Sequence, residues 1–112
     1  MRIYHNPRCS KSRQTLAILK ENGLEPEVVL YMERTLKPND LISLLMKLNM
    51  NPKQLVRRNE AIWKAKFKGK ILTDAEIIAA MIANPKLIER PIVVKGKRAV
   101  LGRPPENVLE LI

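Results

Sequence analysis

The hydrophobic pattern of the first third of the chain predicts a strand, a helix and a second strand. Residues 2–5 form a short apolar segment that runs into an Asn-Pro turn. Residues 10–22 place apolar side chains at helical spacing, and Gly23 ends the run. Residues 27–31 are rich in β-branched and apolar side chains, which predicts a strand buried on both faces. A βαβ unit of this kind normally holds its strands parallel.

The middle of the chain is predicted to be helical. Residues 37–48 open with a Lys-Pro-Asn-Asp helix start and carry an apolar stripe. Shorter helical segments follow at 53–58 and 61–68. Thr73, with Glu76 three residues further on, forms a capping box that begins another helix.

The last part of the chain returns to strands. Residues 91–94 and 98–101, joined by Lys-Gly-Lys, predict a β-hairpin, and two consecutive prolines after it open a final helix. The order βαβ, helices, ββα predicts an α/β protein with a thioredoxin-like fold and a helical insertion at about 37–85. We expect a single domain over residues 1–112, because no repeat, low-complexity stretch or long linker divides the chain.

Cysteine usage and hydropathy narrow the class of protein. One cysteine excludes an intrachain disulfide and cysteine-rich zinc sites, and it is typical of a reducing compartment. No apolar run approaches the roughly 20 residues of a membrane span, and the N-terminus does not resemble a signal peptide. We therefore expect a cytoplasmic protein with no metal site and no membrane association.

The chain is strongly basic, with a formal net charge of +10 from 21 Lys and Arg against 11 Asp and Glu. Such a charge attracts anions. Aromatic residues make up only 4% of the chain, and no zinc-finger, RNP or KH signature is present, which disfavours nucleic acid as the partner. Most lysine-rich surfaces are simply solvated helix faces.

Cys9 is the candidate nucleophile. It lies between the first turn and the predicted helix 10–22, where free backbone N–H groups and the helix dipole stabilise an anion. Arg8, Lys11 and Arg13 add positive charge. Together these groups are expected to lower the pKa of the thiol below its ordinary value of about 8.5. The alternative, a buried structural cysteine, is disfavoured by the polar and cationic turn.

His5 and Ser12 are the polar residues next to this cysteine. His5 is the only histidine, and it is either an incidental strand residue or a support for the thiolate, as an imidazolium or through hydrogen bonding. Nothing in the sequence makes a protease-like triad recognisable. Ser12 takes the second cysteine position of a Cys-x-x-Cys motif, so any resolving thiol must come from another molecule.

Four blocks of sequence together resemble the arsenate reductases of the glutaredoxin-dependent type. They are His5-Asn6-Pro7-x-Cys9-x-x-Ser12-Arg13-x-Thr15-Leu16, Leu55-Val56-Arg57-Arg58-Asn59, Glu89-Arg90-Pro91-Ile92-Val93-Val94 and Gly102-Arg103-Pro104-Pro105-Glu106. The resemblance covers nearly the whole chain, with the blocks in matching order and spacing. It implies a cytosolic, thioredoxin-like protein with an inserted helical region.

The resemblance also implies a mechanism. Cys9 would attack arsenate to form a thiol-arsenate adduct, which glutathione would attack in turn. Glutaredoxin would clear the resulting mixed disulfide, and arsenite would be released. Glutathione and glutaredoxin would thus be electron donors, with no cofactor bound to the chain.

The same resemblance assigns further site residues. The oxyanion would be bound by Arg57, Arg90 and Arg103, whose planar guanidinium groups suit a tetrahedral oxyanion. The sequence leaves open whether Arg57 or Arg58 points inward. His5 would support the thiolate, and the remaining supporting residues would be Ser12, Arg13 and Pro91. A cis peptide is implied between Arg90 and Pro91.

Two alternative functions stay open at the level of sequence. One is a general glutathione-linked thiol reductase of the same family. The other is a redox regulator that binds RNA polymerase, as Spx-like proteins do. Those regulators usually carry Cys-x-x-Cys at the active turn, so Ser12 argues against the second alternative.

Overall fold

Four short strands form one mixed sheet. The structure, a computed structural model, describes residues 1–34 and 36–112. The strands are β1 (Arg2–Tyr4), β2 (Glu27–Val29), β3 (Ile92–Lys95) and β4 (Arg98–Leu101). Their order in the sheet is β2-β1-β3-β4, with β1 parallel to β2 and antiparallel to β3, and with β3 antiparallel to β4. The predicted βαβ unit and β-hairpin are thus confirmed.

Helix α1 (Ser10–Glu21) and a 3₁₀ helix (Pro105–Leu111) pack against this sheet. Their shared core consists of five buried apolar side chains, which are Ile3, Leu19, Val93, Val108 and Leu111. The final helix predicted after the two prolines is therefore present, in the tighter 3₁₀ form. The arrangement is a thioredoxin-like α/β fold, as the element order predicts.

The prediction that the second strand is buried on both faces is wrong. In β2, Glu27 and Val28 are exposed, and Val28 keeps 42% of its surface accessible. The reason is the position of β2 at the edge of the sheet, where it has a neighbouring strand on one side only. Val29 is the single buried residue of the strand.

The helical insertion holds four α-helices and a short 3₁₀ helix. These are α2 (Pro38–Leu48), α3 (Pro52–Leu55), α4 (Ala61–Lys66), α5 (Asp74–Ala83) and the 3₁₀ helix Pro85–Leu87. Helix α5 begins with the predicted capping box, in which the backbone N–H of Glu76 donates to the Thr73 hydroxyl at 3.2 Å. Helices α2 and α3 both pack against α5.

Helix α3 is shorter than the predicted segment 53–58. It ends at Leu55 because the following residues are bound in an extended conformation. Val56 forms an antiparallel β-bridge with Ile88, and the Arg57 backbone N–H donates to the carbonyl of Leu87 at 2.7 Å.

The chain divides into two compact units. The first, here called the sheet unit, joins Met1–Arg34 with Arg90–Ile112, and the second, the helical unit, is Thr35–Glu89. The helical unit corresponds closely to the insertion predicted at about 37–85. A single domain over residues 1–112 stays a prediction. Among the described residues, no helix is both long and apolar enough to cross a membrane.

Gly102, directly after β4, lies where no larger residue fits. A Cβ added there would lie 2.5 Å from Thr15 Oγ1 and 2.8 Å from Pro91 Cγ. The glycine backbone is bonded to the same neighbours, since its N–H donates to the Pro91 carbonyl at 2.9 Å. Gly102 thus allows the chain that carries Arg103 to approach α1 closely.

We expect Gly102→Ala to lower the free energy of unfolding by about 1–3 kcal/mol, because the new methyl group overpacks this contact. Urea unfolding followed by circular dichroism measures the change. The double variant Gly102→Ala/Thr15→Ala removes the nearest clashing atoms and should recover part of the loss. Additive losses in the double variant would contradict the assigned clash.

Candidate active site

Cys9 caps the N-terminus of α1. It has an extended backbone (φ −94°, ψ 123°), and its carbonyl accepts the first helical hydrogen bond, from the Arg13 N–H at 3.0 Å. Its own N–H donates to the carbonyl of Asn6 at 3.0 Å, which closes the turn before the helix. The thiol is half-buried beside the backbone N–H groups of the first helical turn. This is the position that favours an anion.

Two side chains fix the turn before Cys9. The Asn6 side-chain oxygen accepts a hydrogen bond from the Arg8 backbone N–H at 3.0 Å, as in an Asx-turn. The guanidinium of Arg13 donates to the carbonyl of Pro7 at 2.9 Å. Arg13 therefore braces the turn from the helix. Sequence reasoning gave Asn6 no role of its own, although an Asn-Pro pair is a signal for such a turn.

Ser12 links His5 to the turn. Ser12 is fully buried, and its Oγ lies 2.6 Å from His5 Nδ1 in a hydrogen bond. The same oxygen accepts a hydrogen bond from the Asn6 backbone N–H at 3.0 Å. His5 itself is at the carboxyl end of β1, where its N–H donates to the Val29 carbonyl at 2.9 Å. The hydroxyl in the second cysteine position thus ties strand, turn and helix together.

His5 supports this network as a neutral imidazole. Burial lowers the pKa of His5 below its ordinary value, and the positive charges of Arg13 and Lys20 lower it further. The ring is therefore mostly uncharged at pH 7. Of the two roles expected for His5, the contact of its Nδ1 with Ser12 Oγ agrees with hydrogen bonding, and the lowered pKa favours the neutral ring.

Two arginines from the other end of the sheet unit reach the thiol. Arg103 Nη1 lies 3.9 Å from Cys9 Sγ and donates to the Arg90 carbonyl at 3.2 Å. The guanidinium of Arg90 also lies beside the thiol, where its positive charge favours the thiolate. The peptide bonds Arg90-Pro91 and Arg103-Pro104 are both cis, the first as expected. Residues more than 80 positions apart in sequence therefore meet at Cys9.

The environment of Cys9 favours the thiolate. Partial burial by itself would raise the pKa of the thiol. Hydrogen bonds from the backbone N–H of Ser12, from the Arg90 guanidinium and from the backbone N–H of Lys11 outweigh this, and the net pKa is lowered. The sequence predicts contributions from the N–H groups of the helix start and from the adjacent cations. The N–H groups do contribute. In the structure, the cation that contributes is Arg90, from a distant segment.

We expect iodoacetamide alkylation of Cys9 to have its pH midpoint below that of an ordinary thiol, about 8.5. The midpoint shifts to lower pH because the thiolate is the reactive form. With a lowered pKa, Cys9 in the folded chain stays a thiolate at pH values where an ordinary thiol is already protonated. The rate should be measured against pH for the folded protein and for the chain in denaturant. Arg90→Gln should raise the midpoint, whereas Arg98→Gln, an exposed arginine in β4, should not. Equal midpoints for folded and unfolded chains would refute the activated thiolate.

Arg57 lies in the helical unit and is bound to carboxylates. Its Nε is 3.2 Å from Glu60 Oε1, and its Nη1 is 3.7 Å from Glu89 Oε2. Its side chain keeps 20% of its surface accessible, whereas Arg58 is exposed and donates to the Lys53 carbonyl at 3.4 Å. Arg57 is thus the more buried of the two. Its role beside Cys9 stays a prediction, because the two residues belong to different units.

Known proteins resemble this chain over its full length. The profile of the ArsC family matches residues 4–111. A protein of Escherichia coli K12 named "Uncharacterized protein YfgD" is 52% identical, with 100% of this chain and 96% of that protein covered. An arsenate reductase of Haemophilus influenzae is 42% identical, with coverages of 98% and 97%. The solved structure of an arsenate reductase from Vibrio cholerae is 45% identical, with coverages of 99% and 96% and a TM-score of 0.95. The chain therefore belongs to the ArsC family.

Proposed function

We propose that this protein is an arsenate reductase that takes its electrons from glutathione and glutaredoxin. The main support for the proposal is that an activated cysteine and two guanidinium groups lie together at the start of a helix. Cys9 is the nucleophile, and Arg90 and Arg103 form the oxyanion-binding site. The arsenate reductases among the relatives support the choice of substrate.

This oxyanion-binding site matches the chemistry of arsenate. Arsenate is a tetrahedral oxyanion, and guanidinium groups bind such oxygens through paired N–H donors. The N–H groups of the first turn of α1 offer further donors on the side of the thiolate. Arg103 is held by the Arg90 carbonyl at 3.2 Å, so its donors are oriented before substrate binds. Arg57 is proposed as a third binding group.

In the proposed reaction, two molecules of glutathione supply the two electrons that reduce arsenate to arsenite. The Cys9 thiolate attacks As(V), one arsenate oxygen leaves as water after protonation, and a Cys9–S–As(V) adduct forms. A glutathione thiolate then attacks the Cys9 sulfur, forming a Cys9–glutathione disulfide, and the electron pair of the S–As bond reduces arsenic to As(III). Glutaredoxin attacks the glutathione sulfur of this disulfide, which frees the Cys9 thiolate. A second glutathione regenerates glutaredoxin and leaves oxidised glutathione.

Ser12 explains why the reductant must come from outside. An enzyme with a second cysteine at this position would resolve its own intermediate as an internal disulfide. Here the hydroxyl is buried and bonded to His5 and Asn6, so it serves the structure of the turn. An external thiol therefore has to attack the Cys9 sulfur.

The test is a coupled assay of arsenate-dependent NADPH oxidation with glutathione, glutaredoxin and glutathione reductase. Turnover should require arsenate, and phosphate should not replace it, although phosphate has the same shape and charge. Omitting glutaredoxin or glutathione should abolish steady-state turnover. Absence of arsenate-dependent turnover, together with reduction of a simple glutathione mixed disulfide, would replace the proposal with a general glutathione-linked thiol reductase.

A further inference from the structure

A basic cleft opens on the helical unit, remote in sequence from Cys9. It is a cavity of about 420 Å³, within the range typical of binding clefts, about 300–1,000 Å³. Four cations line it, and no carboxylate does: Lys53, Arg58, Lys68 and Lys70. Residues 53–70 hold seven Lys or Arg and only one Asp or Glu, and that glutamate is bound to Arg57. The cleft therefore carries a local excess of positive charge.

Apolar side chains line the basic cleft together with these cations. Trp63 and Phe67, on α4 and just after it, are half-buried, with ring centroids 5.2 Å apart and planes tilted by 35°. Leu72 and Ile77 also line the cavity, and Ile77 is buried. Ile71, also among the lining residues, has a fully exposed side chain. Apolar surface bordered by polar and charged residues is typical of an interaction site, more than of a solvated helix face.

We propose that the basic cleft docks an acidic protein segment that carries an apolar anchor side chain. Charge complementarity identifies the partner, because none of the four lining cations forms an ion pair with a carboxylate anywhere in residues 1–34 and 36–112. The apolar lining accepts the anchor, and the cations pair with the flanking carboxylates. This inference goes beyond arsenate reduction and does not depend on it.

The shape of the cleft favours a peptide over other anions. Trp63 and Phe67 are half-buried and packed against each other with a tilt of 35°, which differs from the row of open aromatic faces on which successive nucleotide bases stack. Ile71 is fully exposed and could touch a planar bilayer, whereas Trp63 and Phe67 are half-buried. An extended acidic segment can follow the cations and insert one side chain.

Trp63 provides the readout, because it is the only tryptophan in the chain. The probe is a short synthetic peptide of Asp and Glu with a central Leu-Phe pair, titrated into the full chain while tryptophan emission is recorded. We expect a saturable change in emission, and an affinity about tenfold or more weaker for Lys68→Glu/Lys70→Glu. The matched control Lys97→Glu/Arg98→Glu reverses two exposed cations of the hairpin and should bind like the wild type.

Several outcomes of these titrations would overturn the proposal. They are a non-saturable response, equal binding of an acidic peptide that lacks Leu-Phe, equal weakening by the control variant, and tighter binding of a single-stranded oligonucleotide. Vesicles of phosphatidylcholine with phosphatidylglycerol, matched to the peptide in total negative charge, serve as a further competitor. If the vesicles displace the peptide, the partner is a lipid surface and the proposal fails.

Discussion

Replacing Cys9 by alanine or serine is expected to lower arsenate-dependent turnover by a factor of about 10³ or more, to the background of the assay. No other thiol exists in the chain to take its place. A serine hydroxyl at the same helix start would stay protonated at pH 7, because its pKa lies far above that of a thiol. The coupled NADPH assay measures the loss.

Two controls separate loss of chemistry from loss of fold. Ser10→Ala changes the exposed neighbouring side chain and should retain the wild-type rate. The circular dichroism of both Cys9 variants should match the wild type, since Cys9 contributes its backbone to the turn and its side chain makes no cap hydrogen bond. Appreciable turnover by a folded Cys9→Ala variant would show that the chemistry does not run through this cysteine.

Arg103→Lys is expected to lower kcat/KM for arsenate by about 10²–10³-fold. The substitution retains the positive charge but loses the planar pair of N–H donors that can bind two oxygens at once. It also loses the geometry of the 3.2 Å bond to the Arg90 carbonyl, which orients the group before substrate arrives. The loss should be measured in the coupled assay over a range of arsenate concentrations.

Arg103→Lys should weaken the binding of the oxyanion without changing the pKa of the Cys9 thiol. At 3.9 Å its contact with the sulfur is long, and the pKa of Cys9 is lowered by Arg90 and the backbone N–H groups. The alkylation midpoint of Arg103→Lys should therefore stay near that of the wild type. Arg98→Lys, in β4, serves as the matched control and should retain the wild-type kcat/KM. An unchanged kcat/KM for Arg103→Lys would remove Arg103 from the binding site.

Local signals in the sequence predicted most of the helices and strands and pointed to Cys9 as a candidate nucleophile. The capping box at Thr73, the hairpin after Pro91 and the start of α1 at Cys9 each depend on a few neighbouring residues, and each is found where it was expected. The exposure of Val28 was not predictable in this way, because it depends on which strand is at the edge of the sheet.

The causes of reactivity at the site were less accessible from sequence. The sequence predicts that the helix start and the cations next to Cys9 lower its pKa; the N–H groups of the helix start do so, and the contributing guanidinium comes from Arg90. The close approach of Gly102 to Thr15, which brings the chain bearing Arg103 to α1, is a long-range contact with no local signature. The ion pairs of Arg57 with Glu60 and Glu89 likewise depend on the packing of the helical unit. Only the family resemblance pointed to these arginines in advance.

A single-turnover experiment shows whether arsenate is reduced at Cys9. The protein is incubated with arsenate and glutathione in the absence of glutaredoxin, arsenite is quantified, and the chain is examined by intact mass and peptide mapping. We expect one arsenite to be released per chain and one glutathione to be bound as a disulfide to Cys9, with neither product in Cys9→Ala. Arsenite formation without modification of Cys9, or a glutathione disulfide on Cys9 without arsenite, would contradict it.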